Sequence, residues 1–285
     1  MSKNILVTGA SGFIGSHVSD FLTNKGYKVT LFDKKFSKHK QKKQKMLIGE
    51  LNNLKDLNKA TKNIHTIFHF AASADLKEAN DKPFDTVENN IMGTVKILKA
   101  SLKNKVKKII FASSIYARSE QGGIYSTSKL ASEMIIERLC KKFKLKFVVL
   151  RFGTVYGERA NKFNTVQNFI NDAKKKKKIH RETKGNEIRS YIHVKDVAKI
   201  AYLSTKKKYE NGYYNVFGGK KIMVKKLLNL IKQKIPRLKI SYSKYDNKIA
   251  NYKINPFTYK LRKGQNIKLK KYINVRDGVD KLIKI

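Results

Sequence analysis

The 285-residue chain contains a single cysteine, three prolines and only 21 acidic residues against 64 basic ones. One cysteine, Cys140, excludes an intrachain disulfide and leaves no candidates for a zinc cage, so no metal site is expected and a reducing cytoplasm fits. The scarcity of proline leaves no proline-rich linker between independent domains. No run of about 18 apolar residues occurs, so no membrane insertion is expected. Met1-Ser2-Lys3-Asn4 passes into the first apolar segment without a signal-peptide pattern, which again predicts a cytoplasmic protein.

The shortage of acid gives a formal net charge of +43, which ordinarily points to nucleic acid or an anionic membrane. Only nine of the basic residues are arginine, the residue that forks onto phosphates and bases, and the lysines are spread along the whole chain. Lysine, asparagine and isoleucine are enriched together, as compositional drift at tolerant surface positions would produce, and no specific nucleic-acid partner is expected. The densest run, Lys174 to Lys178, reads as a solvated helix end.

Against this background the opening of the chain is specific. Ile5-Leu6-Val7-Thr8 runs into Gly9-Ala10-Ser11-Gly12-Phe13-Ile14-Gly15, an apolar strand followed by three glycines spaced by three and then a helix. A tight strand-to-helix turn needs Gly9, a diphosphate needs close backbone approach at Gly12, and Gly15 lets the helix pack on the strand. The first-turn N–H groups then face the anion. A second strand, Tyr27 to Phe32, ends on Asp33, eighteen residues past Gly15 and close to the ~20 expected for an acid that binds a ribose 2′-hydroxyl. A carboxylate there favours NAD over NADP, although Lys34 and Lys35 follow at once.

Apolar strands and helical segments go on alternating: Thr66 to Phe70 before Ala71-Ala72, a helix over Asn90 to Leu102, strands at Lys108 to Ala112 and Phe147 to Leu150. Such an order predicts an α/β, Rossmann-type doubly wound parallel sheet with ligands at the carboxyl ends of its strands. Ser113 and Ser114 close one strand, and eleven residues after Ser114 comes Tyr125, four before Lys129 on an expected helix running to about Lys141. Positions i and i+4 share a face, so Tyr125 and Lys129 can point into one cleft, where the cation is expected to lower the phenol's pKa and make Tyr125 a general acid/base. By itself such a pair is a common helical accident; its company gives it weight.

With these motifs in order, the chain resembles the extended short-chain dehydrogenase/reductases, the NAD-dependent nucleotide-sugar epimerase/dehydratase family, and within it the UDP-glucose 4-epimerase-like members. The resemblance runs nearly end to end: the glycine turn, Gly49-Glu50-Leu51, His69-Phe70-Ala71-Ala72, Asn90-Ile91-Met92-Gly93-Thr94, Ser113-Ser114, Tyr125/Lys129, Arg151 to Gly157 and Arg189 to Ala198. It implies bound NAD contacted by Gly9, Gly12, Phe13, Ile14, Gly15, Asp33, Glu50, Leu51, Ala71, Ala72, Asn90, Tyr125 and Lys129, with Glu50 near the adenine amino group and Lys129 on the nicotinamide ribose. It implies Ser114, Tyr125 and Lys129 as catalytic residues, Ser114, Thr154 and Arg189 on a nucleoside-diphosphate sugar, and a homodimer through the helix before Leu102 and the Tyr125 helix.

Departures narrow the expectation. Dehydratases of the family carry an acidic pair at the catalytic strand end, where this chain has Ser113-Ser114-Ile115, so dehydration is disfavoured. The segment between Ser114 and Tyr125 is short, Thr154 stands where many epimerases have asparagine, and a second phosphate-binding arginine is missing near Tyr245-Asp246, with only Lys244 and Lys248 nearby. Residues 1–156 are expected to form the NAD-binding domain, completed by 189–217, with 157–188 and 218–285 as a smaller substrate-binding lobe. The leading reading is an epimerase acting by transient C4 oxidation and hydride return. The alternatives are a 4-keto-sugar reductase or sugar dehydrogenase using exchangeable NAD(P), and a non-catalytic RNA-binding member.

Overall fold

The computed structural model describes residues 4–119, 122–243 and 264–284; Lys244, Tyr245, Asp246 and Lys248 lie outside them. In chain order the strands are β1 (Asn4–Thr8), β2 (Lys28–Asp33), β3 (Lys45–Ile48), β4 (Thr66–His69), β5 (Lys108–Ser114), β6 (Lys146–Phe152), β7 (Thr154–Tyr156), β8 (Lys178–Arg181), β9 (Ile188–His193), β10 (Gly212–Val216), β11 (Lys221–Met223), β12 (Lys239–Tyr242) and β13 (Gln265–Asn266). The helices are α1 (Phe13–Asn24), α2 (Leu54–Thr61), α3 (Leu76–Asp81), α4 (Pro83–Val87), α5 (Gly93–Lys103), α6 (Gly123–Lys142), α7 (Thr165–Lys176), α8 (Val194–Leu203), α9 (Val224–Lys234) and α10 (Val275–Lys284). A π-helical turn, Glu88–Met92, joins α4 to α5.

Eight strands form one parallel sheet in the order β13-β10-β6-β5-β4-β1-β2-β3. Strand alternation explains the apolar runs. Ile5 and Val7 of β1, with Ile110 and Ala112 of β5, enter the core on the α1/α8 side, while Leu6, Ile109 and Phe111 enter the core on the other side. Fully burying side chains of this size contributes roughly 1.5–3 kcal/mol each. The winding direction reverses between β1 and β4, which opens a crevice at their carboxyl ends, the place where doubly wound sheets bind ligands.

At Gly153 the chain leaves this sheet. Its amide donates to the Val216 carbonyl at 3.0 Å, and a side chain there would press on the Ser190 carbonyl and Phe217. The chain continues as β7, which pairs with β9, itself paired with β11 in a separate three-stranded sheet. Residues 188–193 therefore belong to the smaller sheet, whereas α8 and β10 lie with the large one; the return expected from residue 189 begins one element later. From the tail expected in the lobe, β13 adds an edge strand beside β10. A third core gathers Val166, Phe169 and Ile170 of α7, Leu227, Leu228 and Ile231 of α9, and Val279 and Leu282 of α10. Among the described residues no helix is long and apolar enough to cross a membrane.

Candidate active site

The glycine turn is built by steric necessity. Gly9 has φ +69°, and a Cβ on it would lie 2.6 Å from the Ala71 amide nitrogen, so only glycine lets β1 and the exit of β4 approach so closely. A Cβ on Gly15 would overlap the Gly9 carbonyl oxygen, so α1 also needs glycine to sit on the turn. Gly12 is the N-cap of α1 and no side chain caps the helix. First-turn N–H groups, those of Phe13 and Ile14 among them, have no intrahelical acceptor, which suits an anion. Asp33, at the end of β2, accepts from the Ser11 amide at 3.0 Å and from the Lys35 amide at 3.2 Å, so its carboxylate lies against the turn and keeps spare lone pairs. Glu50 is exposed beyond β3, followed by half-buried Leu51, and the Glu50 amide donates to Asp56.

Asn90 sits buried in the π-helical turn, and its side chain serves the loop after β4. Its Oδ1 accepts from the Ser73 amide at 2.7 Å, and its Nδ2 donates to the Ser73 carbonyl at 3.1 Å and to Ser128 Oγ at 2.9 Å. Asn90, expected beside the cofactor, is thus also a tie that shapes the crevice next to Ala71 and Ala72, both half-buried. A buried chain of hydroxyls runs behind it. The Thr94 hydroxyl donates to the Asn90 carbonyl at 2.6 Å and so accepts from His69 Nε2 at 3.2 Å; His69 Nδ1 then accepts from the Thr8 hydroxyl at 2.8 Å. The network assigns His69 the neutral Nε2–H tautomer. Burial, with the Lys129 charge as a second cause, lowers its pKa to about 3.

The sequence-predicted catalytic residues come together. Ser114 closes β5, Tyr125 lies in the first turn of α6, and the Ser114 side chain stands close enough to the phenol to act on its pKa. Ser114 Oγ also accepts from the Tyr116 amide at 3.1 Å. Asn80 of α3 fixes the start of α6 by accepting from the Ile124 amide at 3.1 Å. One turn on, Lys129 Nζ donates to the Ala112 carbonyl at 2.9 Å and lies 4.8 Å from the centre of the Phe111 ring and 5.9 Å from that of Tyr125.

The expected lowering of the Tyr125 pKa is overturned. Burial pushes the phenol up to about 12, against which the nearby Ser114 hydroxyl works only in part, and burial pulls Lys129 down to about 8. The ammonium addresses a backbone carbonyl and the ring face, so desolvation outweighs its field at the hydroxyl.

Thr154 opens β7 and is paired in register with Tyr191 of β9. Arg189 is two residues before Tyr191 on the same face of β9, and its guanidinium donates to the Ile188 carbonyl at 3.3 Å. Both candidate substrate contacts therefore come from the smaller sheet. Sequence reasoning passed over Glu133, although it stands one helical turn after Lys129. Glu133 Oε1 accepts from Ser113 Oγ at 2.5 Å and from Arg151 Nε at 2.8 Å, and Oε2 takes a second bond from Arg151, both side chains being almost wholly buried.

Comparison with known proteins agrees with this geometry. The sequence model described as the NAD dependent epimerase/dehydratase family matches residues 5–216. A putative UDP-glucose 4-epimerase of Methanocaldococcus jannaschii is 26% identical over 302 residues, covering 98% of this chain and 97% of the relative. A UDP-N-acetylglucosamine 4-epimerase from Methanobrevibacter ruminantium, solved with UDP-N-acetylmuramic acid, is similar with a TM-score of 0.83 at 25% identity over 99% of each chain. A UDP-glucose 4-epimerase from Thermus thermophilus, solved with NAD, is similar with a TM-score of 0.76 at 25% identity over 84% of this chain and 85% of that one.

Proposed function

Because the chain belongs to the NAD dependent epimerase/dehydratase family, we propose that it inverts C4 of a nucleoside-diphosphate sugar, with Ser114, Tyr125 and Lys129 as its catalytic residues. The observation that carries this reading is the convergence of Ser114, Tyr125 and Lys129 at the carboxyl end of β5, where Lys129 Nζ donates to the Ala112 carbonyl at 2.9 Å and lies 5.9 Å from the centre of the Tyr125 ring, near the crevice where the winding reverses. When bound, NAD supplies the acceptor that takes a hydride from the sugar and returns it to the opposite face.

The residues present fit that cofactor: the turn that a Cβ would fill and the uncapped start of α1 take the diphosphate, Asp33 the adenosine ribose, Glu50 and Leu51 the adenine side, and Lys129 the second ribose. Ser114 hydrogen-bonds the reacting sugar oxygen and Tyr125 exchanges its proton. With its pKa raised, Tyr125 holds the proton donated in the return half of the cycle; in the outward half the Lys129 charge stabilises the phenolate. Arg189 and Thr154 take the substrate diphosphate from the other side.

The same geometry favours epimerisation over dehydration. β5 ends on Ser113-Ser114 and is followed by Ile115, and the carboxylate that reaches it, Glu133, is committed to Arg151 and Ser113. We also assign a homodimer to α5 and α6. The buried face of α6 is rich in polar residues, including Ser126, Ser128, Lys129, Ser132 and Glu133, whereas Met134 is 57% exposed and Met92, just ahead of α5, 39% exposed. Apolar side chains turned outward in this way suit a self-complementary contact.

Mass spectrometry of the small molecules that copurify with the protein tests the reading. NAD together with a nucleotide sugar or its keto form is expected. NADP without a sugar, combined with no conversion of any nucleotide sugar, would contradict it.

A further inference from the structure

We propose that Glu133 is a positioning residue for Lys129: locked by Arg151 and Ser113, its buried carboxylate keeps the Lys129 ammonium charged and seated in the site. The inference rests on the reading of Lys129 as part of the catalytic machinery. The geometry is specific. Glu133 follows Lys129 by four residues on α6, so the two side chains share a face with the acid one turn deeper. Arg151 on β6 and Ser113 on β5 are themselves register partners, so the neighbouring strands place both donors under the helix at once. Glu133 and Arg151 have side chains 2% and 3% exposed, which leaves neither of them to solvent.

The charges facing Lys129 can be followed element by element. From α6 come Tyr125, a neutral phenol, and Glu133. From β4 comes His69, held neutral, and from β5 come the uncharged Phe111 ring and Ala112 carbonyl. From β6 comes Arg151, whose guanidinium is bound to Glu133 and lies 4.7 Å from the centre of the Tyr213 ring. Glu133 is thus the one carboxylate among the described groups that acts on Lys129, and its charge opposes the desolvation that draws the ammonium toward neutrality. A neutral Lys129 would offer no field to a Tyr125 phenolate. Arg151 and Ser113 supply the donors that a carboxylate buried at this depth needs.

Competitive acylation of the whole protein with acetic anhydride, followed by peptide mass spectrometry, reads the neutral fraction of Lys129 directly and needs no turnover. The ratio of rates at two pH values cancels differences in access. Glu133→Gln removes the charge and keeps the shape, and is expected to raise Lys129 acylation at pH 7 about fivefold, the effect on the neutral fraction of one pKa unit down from about 8. Glu133→Asp keeps the charge and is expected to remain much nearer the parent. Ser113→Ala, a small change that keeps the ion pair, leaves more negative charge on the carboxylate and is expected to slow acylation about twofold. Equal changes in the Gln and Asp variants, or no slowing in Ser113→Ala, would overturn the inference. Ser113→Ala keeps the test open if the Glu133 variants do not fold. Loss of all sugar conversion with the acylation pattern intact would instead count against the proposed function.

Discussion

The Asp33 carboxylate accepts a hydrogen bond from the Ser11 amide at 3.0 Å, so the acid at the end of β2 is fastened to the glycine turn itself. On the proposed reading one side chain then has two roles, supporting the turn and offering negative charge where a 2′-phosphate would sit. Asp33→Asn keeps an acceptor for Ser11 and removes the charge, whereas Asp33→Ala removes both. NAD is expected to bind the parent more tightly than NADP, with the gap narrowed in both variants. Only Asp33→Ala is expected to lose stability as well, by about 1.5–3 kcal/mol for a hydrogen bond to a charged group. Titration of both cofactors and thermal unfolding check this. A parent that prefers NADP would hand the ribose site to Lys34 and Lys35.

His69 gives a pH dependence with a definite sign. Its folded pKa of about 3 lies below the unfolded value of 6.5, so between these limits the unfolded chain binds more protons and stability rises with pH. The contribution is complete above pH 6.5 and is lost as pH falls toward 3. At pH 5 the loss amounts to about 2 kcal/mol. His69→Gln, which can accept from Thr8 and donate to Thr94, should flatten this part of the unfolding profile. An unchanged slope would show that other groups, such as His17 and His193, dominate it.

Met134 lies on the outward face of α6, so a charge there should split the proposed dimer. Sedimentation at micromolar concentration is expected to show a dimer for the parent and a monomer for Met134→Asp. A parent sedimenting only as monomer would contradict the assignment.

The lysine excess should bring weak, sequence-indifferent RNA binding that falls steeply as salt rises, because counterion release is its only drive. Sugar turnover should survive moderate salt far better, since its charges act at short range inside a cleft. Sequence-selective RNA binding that persists at high salt would reverse this order.

The glycine turn, Asp33, the parallel order of strands and the Ser114–Tyr125–Lys129 set were legible in the sequence because each depends on local spacing: strand into glycine into helix, or four residues on one helical face. Glu133 and Arg151 were not. They stand eighteen positions apart among many charged residues, and only the neighbouring of β5 and β6 beneath α6 joins them. The Tyr125 pKa was misjudged for the same reason. Spacing shows that Lys129 is near, but burial of the phenol and the turn of the ammonium toward Ala112 exist only in the folded protein. The departure of β7 and β9 into a smaller sheet was not legible either, because the break at Gly153, a single residue between β6 and β7, leaves no mark in hydrophobic pattern.

The central claim is inversion at C4 with Tyr125 as proton carrier, and one isotope experiment addresses it. The purified protein, with no cofactor added, is incubated with nucleoside-diphosphate sugars deuterated at C4 and followed by NMR. The C4 epimer should appear with deuterium still on C4 and no net formation of NADH, and Tyr125→Phe should slow this roughly 10²–10⁴-fold while NAD affinity stays nearly unchanged. Accumulation of a keto-sugar with stoichiometric NADH, washout of the label to solvent, or full turnover in Tyr125→Phe would contradict it.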